Sequence, residues 1–179
     1  IGSKVKVFLN EEKIQYNTFE KYVNLYMEEA EDAFKIYHKT DRWEIVATMS
    51  DGQFTQVSFV NSILTVKGGK HVEAVSSQIV DSVLDELQKK HKKLKLKPPM
   101  IRNNLWLFVN ALIDNPTFDS QAKEALTTNP SKFGSKCELP AQFIKKLMTT
   151  DIIAQIMLQA EAKDKSDLRK ALTGKKRNK

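Results

Sequence analysis

The sequence contains a single cysteine, Cys137, in 179 residues. One thiol can form neither an intrachain disulfide nor a cysteine-based metal site, and the simplest setting is a reducing compartment. The three histidines, His38, His71 and His91, fall at no HExxH or HxH spacing, so no metal site is expected. No apolar run approaches the roughly 18 residues that a membrane span needs, and no membrane partner is expected. The opening residues Ile1-Gly2-Ser3-Lys4 have neither the charged nor the apolar region of a signal peptide and no starting methionine. The chain is therefore read as a fragment or a processed product. The signatures GxxxxGKS, GxxxxGKT and GxGxxG and the kinase motifs are also missing, which excludes any complete phosphate-binding motif. What remains is a composition 41% hydrophobic and 28% charged, with 29 Lys and Arg against 22 Asp and Glu and a net charge of +7. That length and balance suit one domain of ordinary size with appendages, basic overall and able to fold without staples.

Residues 5–9 are β-prone, residues 10–13 supply a turn, and the apolar spacing over residues 19–27 predicts a short helix. The acidic string Glu28-Glu29-Ala30-Glu31-Asp32 reads as an exposed connection. Residues 34–38, 43–49 and 54–61 are strand-like. Ser50-Asp51-Gly52 is a turn signal between the last two, so an antiparallel hairpin or meander is expected. After Gly68-Gly69 the period changes: Val72, Val75, Ile79, Val83 and Leu87 recur at three and four residues, the mark of a helix packed on a sheet. Pro98-Pro99 is read as its end. Residues 105–113 form a nearly unbroken apolar run with the length of a central strand. Residues 117–138 make a polar loop containing Gly134, and loops this long inside a compact domain are usually functional. Pro140 suits a first helical turn, followed by Phe143, Ile144, Leu147 and Met148. A second helical pattern runs from Ile152 through Ala160 toward Leu172, and the basic end from Lys175 to Lys179 is expected to be frayed or cut from a longer protein.

The clearest electrostatic feature is the run Lys89, Lys90, Lys92, Lys93, Lys95 and Lys97, broken only by His91, Leu94 and Leu96. It reads either as a solvated charged turn or as a contact for a phosphate backbone, where clustered cations release condensed counterions. Gly68-Gly69 ahead of a helix serves a tight turn or an anion cradle. Asp119, Lys123 and Glu124 in the long loop offer acid or base chemistry, or simply solvation. Trp43 and Trp106 belong in or near the core, Cys137 is buried or half-buried, and the methionines are packing. The residues alone give a basic α+β domain, with nucleic-acid binding as its sharpest function.

Several uncommon strings occur in one order. They are Ser58-Phe59-Val60-Asn61-Ser62-Ile63, then Gly68-Gly69-Lys70-His71-Val72, then Trp106-Leu107-Phe108-Val109-Asn110-Ala111-Leu112-Ile113-Asp114-Asn115-Pro116-Thr117-Phe118-Asp119-Ser120-Gln121-Ala122-Lys123, and then Phe133-Gly134-Ser135. Together they closely resemble eukaryotic-type DNA topoisomerase II, in the transducer domain that follows its GHKL ATPase domain. The resemblance implies an α+β fold like the second domain of ribosomal protein S5: a mixed sheet, helices mainly on one face, and a left-handed βαβ crossover against the usual right-handed preference. It implies that residues 1–27 are the last strand and helix of the ATPase domain, residues 28–160 the transducer, and residues 161–179 a linker helix and basic tail toward the cleavage core.

The family's glutamine-threonine-lysine loop falls on Gln121, Ala122 and Lys123. The resemblance gives Lys123 the role of switch lysine at the γ-phosphate, with Gln121 assisting and Ala122 lacking the family's hydroxyl. The family's lysine-rich DNA loop falls on Lys89, Lys90, Lys92, Lys93, Lys95 and Lys97, with Gln88 in place of its first lysine. Lys70 stands where the family has threonine, in a turn whose second reading is a nucleic-acid contact. The implied cofactors are ATP and Mg2+, held mainly outside this chain. The implied partners are double-stranded DNA, the ATPase domain, the cleavage core and a second subunit, in the nucleus. The strings argue against the related mismatch-repair and chaperone machines. No ATPase metal or lid motif, cleavage-core metal site or catalytic tyrosine region is recognised, so the fragment alone is expected to be inactive. The competing reading is a non-enzymatic, S5-like nucleic-acid-binding module.

Overall fold

The computed structural model describes residues 6–14, 16–27, 33–92 and 94–175, with the side chains of 171–175 excepted. The acidic string from Glu28 to Asp32, Val5, Lys93 and the tail beyond residue 175 lie outside the described residues. A hairpin of β1 (Phe8–Leu9) and β2 (Glu12–Lys13) turns through Asn10 and Glu11, both at positive φ as a type I′ turn requires. Helix α1 (Phe19–Asn24) is capped by Thr18, whose hydroxyl accepts from the Lys21 amide.

Five strands make the main sheet: β3 (Ile36–Lys39), β4 (Trp43–Met49), β5 (Thr55–Val60), β6 (Ile63–Leu64) and β8 (Leu105–Ala111). Their order is β3-β4-β8-β5-β6. The apolar run around Phe108 is thus the central strand, antiparallel to β4 and parallel to β5. The expected meander is corrected here. β3 and β4 form a hairpin, but β4 and β5 do not, because β8 lies between them. Ser50-Asp51-Gly52 only redirects the chain. The return from β5 to β8 passes through α2 (Lys70–Lys90) and α3 (Pro98–Arg102). Pro98-Pro99 therefore opens a helix rather than ending one: its missing amides fall where a helix has no acceptors for them. Pro140 precedes α4 (Ala141–Leu147), standing as its cap rather than inside its first turn, and α5 (Asp151–Lys175) follows.

Alternation along β8 builds two cores. Leu105, Leu107, Val109 and Ala111 face one side with Ile45 and Ala47, and there they meet Val75, Ile79, Val83 and Leu87 of α2, Ile101 of α3, Leu147 of α4 and Ile152 and Ile156 of α5. Phe108 and Val46 face the other side, covered by Val23 and Met27 around α1. Four helices on one face and one short helix on the other make a mixed α+β fold.

Several polar residues are buried with the core, among them Thr48, Ser58, Thr65, His71 and Asn104, and His71 is the titratable one. His71 is fully buried, its Nε2 3.3 Å from the Thr65 hydroxyl, while Nδ1 has no hydrogen-bond partner among the described residues. Burial pushes its pKa down to about 4. The unfolded chain then binds the extra proton between about pH 6.5 and 4, so stability is full above that window and falls as pH drops through it. The expected loss between about pH 7.5 and 5 is roughly 2 kcal/mol. Denaturant titrations of the parent and of His71→Gln at both pH values check this, and the difference should vanish in the variant.

Candidate functional site

The chain leaves the C-terminal end of β8 into the long loop, and side chains distant in sequence pin it. Asn61, at φ 49 in the turn after β5, clamps Ile113 with its amide: the Ile113 N–H donates to Oδ1 at 2.9 Å, and Nδ2 donates to the Ile113 carbonyl at 2.9 Å. Arg42 donates to Asp114 Oδ1 at 2.6 Å, and this bond holds the carboxyl below its ordinary pKa. Trp43 Nε1 donates to Ser135 Oγ at 2.9 Å. Gln78 of α2 braces the far end, donating to the Cys137 carbonyl and accepting from the Leu139 amide. Cys137 is half-buried, and burial raises its thiol to about 12.

Within the loop, β9 (Ala125–Leu126) runs parallel to β7 (Gly68–Gly69). Gly68 ends a tight turn, its amide donating to the Thr65 carbonyl at 2.9 Å, and with Gly69 it also forms this two-residue strand. Gly69 sits at φ 125, ψ −162, where a Cβ would lie 2.4 Å from Leu126 N and O. Asp119 closes residues 119–125 into a small turn: its amide donates to the Ala125 carbonyl at 3.1 Å, and its carboxylate accepts from the Ala125 amide at 3.0 Å. Asp119 therefore serves as a backbone anchor.

Gln121 and Ala122 are exposed at the tip of this turn, and Lys123 follows in the left-handed region at φ 57. Among the described residues Lys123 makes no ion pair; its Nζ lies 5.9 Å from the Phe118 ring centroid. The neighbouring Glu124 is taken instead by Lys67. Lys67 Nζ lies 2.5 Å from Oε2, and the Lys67 amide donates to the Glu124 carbonyl at 2.9 Å. The hydrogen bond to Glu124 raises the Lys67 pKa.

The lysine run lies at the other end of α2. That helix has 21 residues, which at 1.5 Å each separates its ends by about 30 Å. Lys89 and Lys90 close the helix, where cations also suit the dipole. Beyond it, Leu94 and Leu96 seat in the core while Lys92, Lys95 and Lys97 remain exposed. The leucines that break the run are its anchors. Lys89 pairs with Glu86 at 3.2 Å, and Lys70 pairs with Glu73 at 2.8 Å. Gln121 and Lys123 thus share one turn, and α2 holds the lysine run apart from them. Among the described residues, no group of three or more His, Cys, Asp or Glu side chains gathers to hold a metal ion. No helix among them is long and apolar enough to cross a membrane.

Sequence reasoning missed the pinning residues Asn61, Gln78, Arg42 and Lys67. Only Asn61-Ser62 carried a local signal, since Asn tolerates positive φ.

The mixed α+β class defined by this sheet has known relatives. The family model for DNA gyrase B matches residues 6–175. DNA topoisomerase 2 of Arabidopsis thaliana is 46% identical over 178 residues, covering 96% of this chain and 12% of the relative. The ATPase and transducer domains of DNA topoisomerase II from Balamuthia mandrillaris superpose with a TM-score of 0.82 at 44% identity, over 89% of this chain and 40% of that one. The ATPase region of Saccharomyces cerevisiae topoisomerase II gives 0.80 at 40% identity, over 87% and 40%. The chain belongs to the DNA gyrase B family, as a fragment of the eukaryotic DNA topoisomerase II type that matches its ATPase and transducer region. It spans about 12% of the length of the curated relatives it matches.

Proposed function

We propose that this chain is the transducer region of an ATP-dependent DNA topoisomerase II, coupling nucleotide binding and hydrolysis to the passage of one duplex through another. The observation that carries this reading is a half-buried cation, Lys123, which makes no ion pair among the described residues and stands two positions after Gln121. Both stand on a turn pinned at the end of α2 whose far end carries the lysine run. ATP with Mg2+, bound chiefly by the ATPase domain, would supply the γ-phosphate charge. Lys123 donates to that charge and Gln121 holds the same end of the nucleotide, so attraction between the two bodies lasts only while the charge is present.

Magnitudes limit what one residue can do. A charged hydrogen bond contributes about 1.5 to 3 kcal/mol. Moving a two-state equilibrium from 1:99 to 99:1 takes about 5.5 kcal/mol. Gln121 and contacts between the two subunits of a homodimer must therefore supply the remainder. Lys89, Lys90, Lys92, Lys93, Lys95 and Lys97 contact double-stranded DNA through phosphates, largely blind to sequence. With this reading go residues 1–27 as the end of the ATPase domain, 28–160 as the transducer with its left-handed S5-like crossover, 161–179 as the link toward the cleavage core, and a nuclear address.

Lys123→Ala in the full-length protein is expected to lower DNA-stimulated ATP turnover about tenfold or more, the worth of one charged hydrogen bond, with nucleotide binding retained. Turnover equal to that of the parent would return the chain to a plain basic nucleic-acid-binding module.

A further inference from the structure

Two carboxylates lie in the turn that carries Lys123, and each has another partner. Asp119 accepts from the Ala125 amide. Glu124, next in sequence to Lys123, is held by Lys67 through both side chain and backbone. The backbone holds Lys67 there as well, because Gly68 and Gly69 beside it form the β7 strand that pairs with β9, next to Glu124. We infer that Lys67 is a positioning residue for the switch lysine: by occupying the Glu124 carboxylate, it keeps Lys123 available to an incoming phosphate anion. The inference rests on the γ-phosphate reading of Lys123 and adds the residue that protects it.

The physics is a competition for one anion. Adjacent side chains on a turn can reach each other, and Lys123 is the cation next in sequence to a carboxylate released from Lys67. An internal pair would then have to break before Lys123 could meet a phosphate. The backbone bond between Lys67 and Glu124 survives substitution of either side chain, so loss of the side-chain pair alters charge pairing more than loop position. An exposed ion pair is worth up to about fivefold in an equilibrium, and less as salt rises.

The test uses the full-length protein at low salt with Lys67→Gln, Glu124→Gln, the double variant, Lys67→Arg and Lys123→Ala. Two quantities are read: DNA-stimulated ATP turnover, and the rate at which Lys123 is acetylated by an N-hydroxysuccinimide ester, followed by mass spectrometry. An ammonium paired with a carboxylate holds its proton more tightly and acetylates more slowly. Lys67→Gln is expected to slow Lys123 acetylation and to lower kcat about two- to fivefold, with nucleotide affinity unchanged. Lys67→Arg should behave as the parent, and Lys67→Gln with Glu124→Gln should restore both rates, because the competing carboxylate is gone. Acetylation equal to the parent in Lys67→Gln, or a double variant as slow as the single one, would overturn the inference. The second outcome would make the pair a structural clip. Lys123→Ala separates the two levels: if its turnover is unchanged, the γ-phosphate reading fails, while the acetylation rates still decide which cation holds Glu124.

Discussion

Replacing Lys90, Lys92, Lys95 and Lys97 with glutamine is expected to flatten the dependence of log affinity for duplex DNA on log salt by about 3.6. These are the exposed lysines of the run that make no ion pair among the described residues; Lys89 is engaged by Glu86. Each phosphate neutralised contributes a slope of about 0.9, so four contacts give that figure and account for roughly two decades of affinity between about 50 and 200 mM salt. The measurement is fluorescence anisotropy of a mixed-sequence duplex with the full-length protein across that salt range. The difference in slope between parent and variant isolates the run from any other DNA contact. Folding should be almost untouched, since exposed substitutions away from partners stay within about 0.5 kcal/mol and the anchoring Leu94 and Leu96 remain. Equal slopes would assign the run to solvent and to the dipole at the end of α2.

The elements legible in the sequence are those whose side chains alternate or recur against a core. β8 was readable because both its faces are buried, and α2 because its apolar stripe keeps a helical period over 21 residues. Sheet order was not readable. Ser50-Asp51-Gly52 fits a hairpin turn equally well when the next strand pairs with something else, and the partner of β5 arrives only at residue 105. Pro98-Pro99 was read as a stop because proline cannot continue a helix, yet the same chemistry lets it start one. The β7–β9 pair left no pattern at all: two glycines against an alanine and a leucine are too short to alternate, and the pairing joins positions 57 apart. At the site, the lysine run could be read from charge alone. Gln121 and Lys123 could not, because a single amide and a single amine in a polar loop look like any solvated loop; only the family resemblance singles them out. Lys67 was beyond reach, since its partner Glu124 is fixed by the β7–β9 contact rather than by nearby sequence.

That contact makes Gly69, in β7 against the loop, a position that tolerates no side chain. Gly69→Ala is expected to destabilise the protein by about 3 kcal/mol. Its backbone, at φ 125 and ψ −162, lies in a region open essentially to glycine alone, where another residue carries about 1 to 3 kcal/mol of strain. The new Cβ would also stand 2.4 Å from Leu126 N and O, which are backbone atoms and cannot swing aside as a side chain can. Relief requires β9 to leave β7, and the turn of residues 119–125, closed by Asp119 onto Ala125, moves with it. For a chain of this size the penalty lowers Tm by roughly 6 to 12 °C. Gly52→Ala is the control: its φ is also positive, at 84, but nothing lies within 4 Å of the added methyl, so only the milder left-handed cost of about 1 to 2 kcal/mol applies. Thermal unfolding of the two variants separates backbone strain from collision. Hydrogen exchange locates the damage, with protection lost at the Leu126 and Ala125 amides in Gly69→Ala and retained in Gly52→Ala. Equal shifts for the two variants would mean that the β7–β9 contact does not hold the loop, and the placement of Lys123 would then have to come from the side-chain pins, Asp119, Asn61, Arg42 and Gln78 among them.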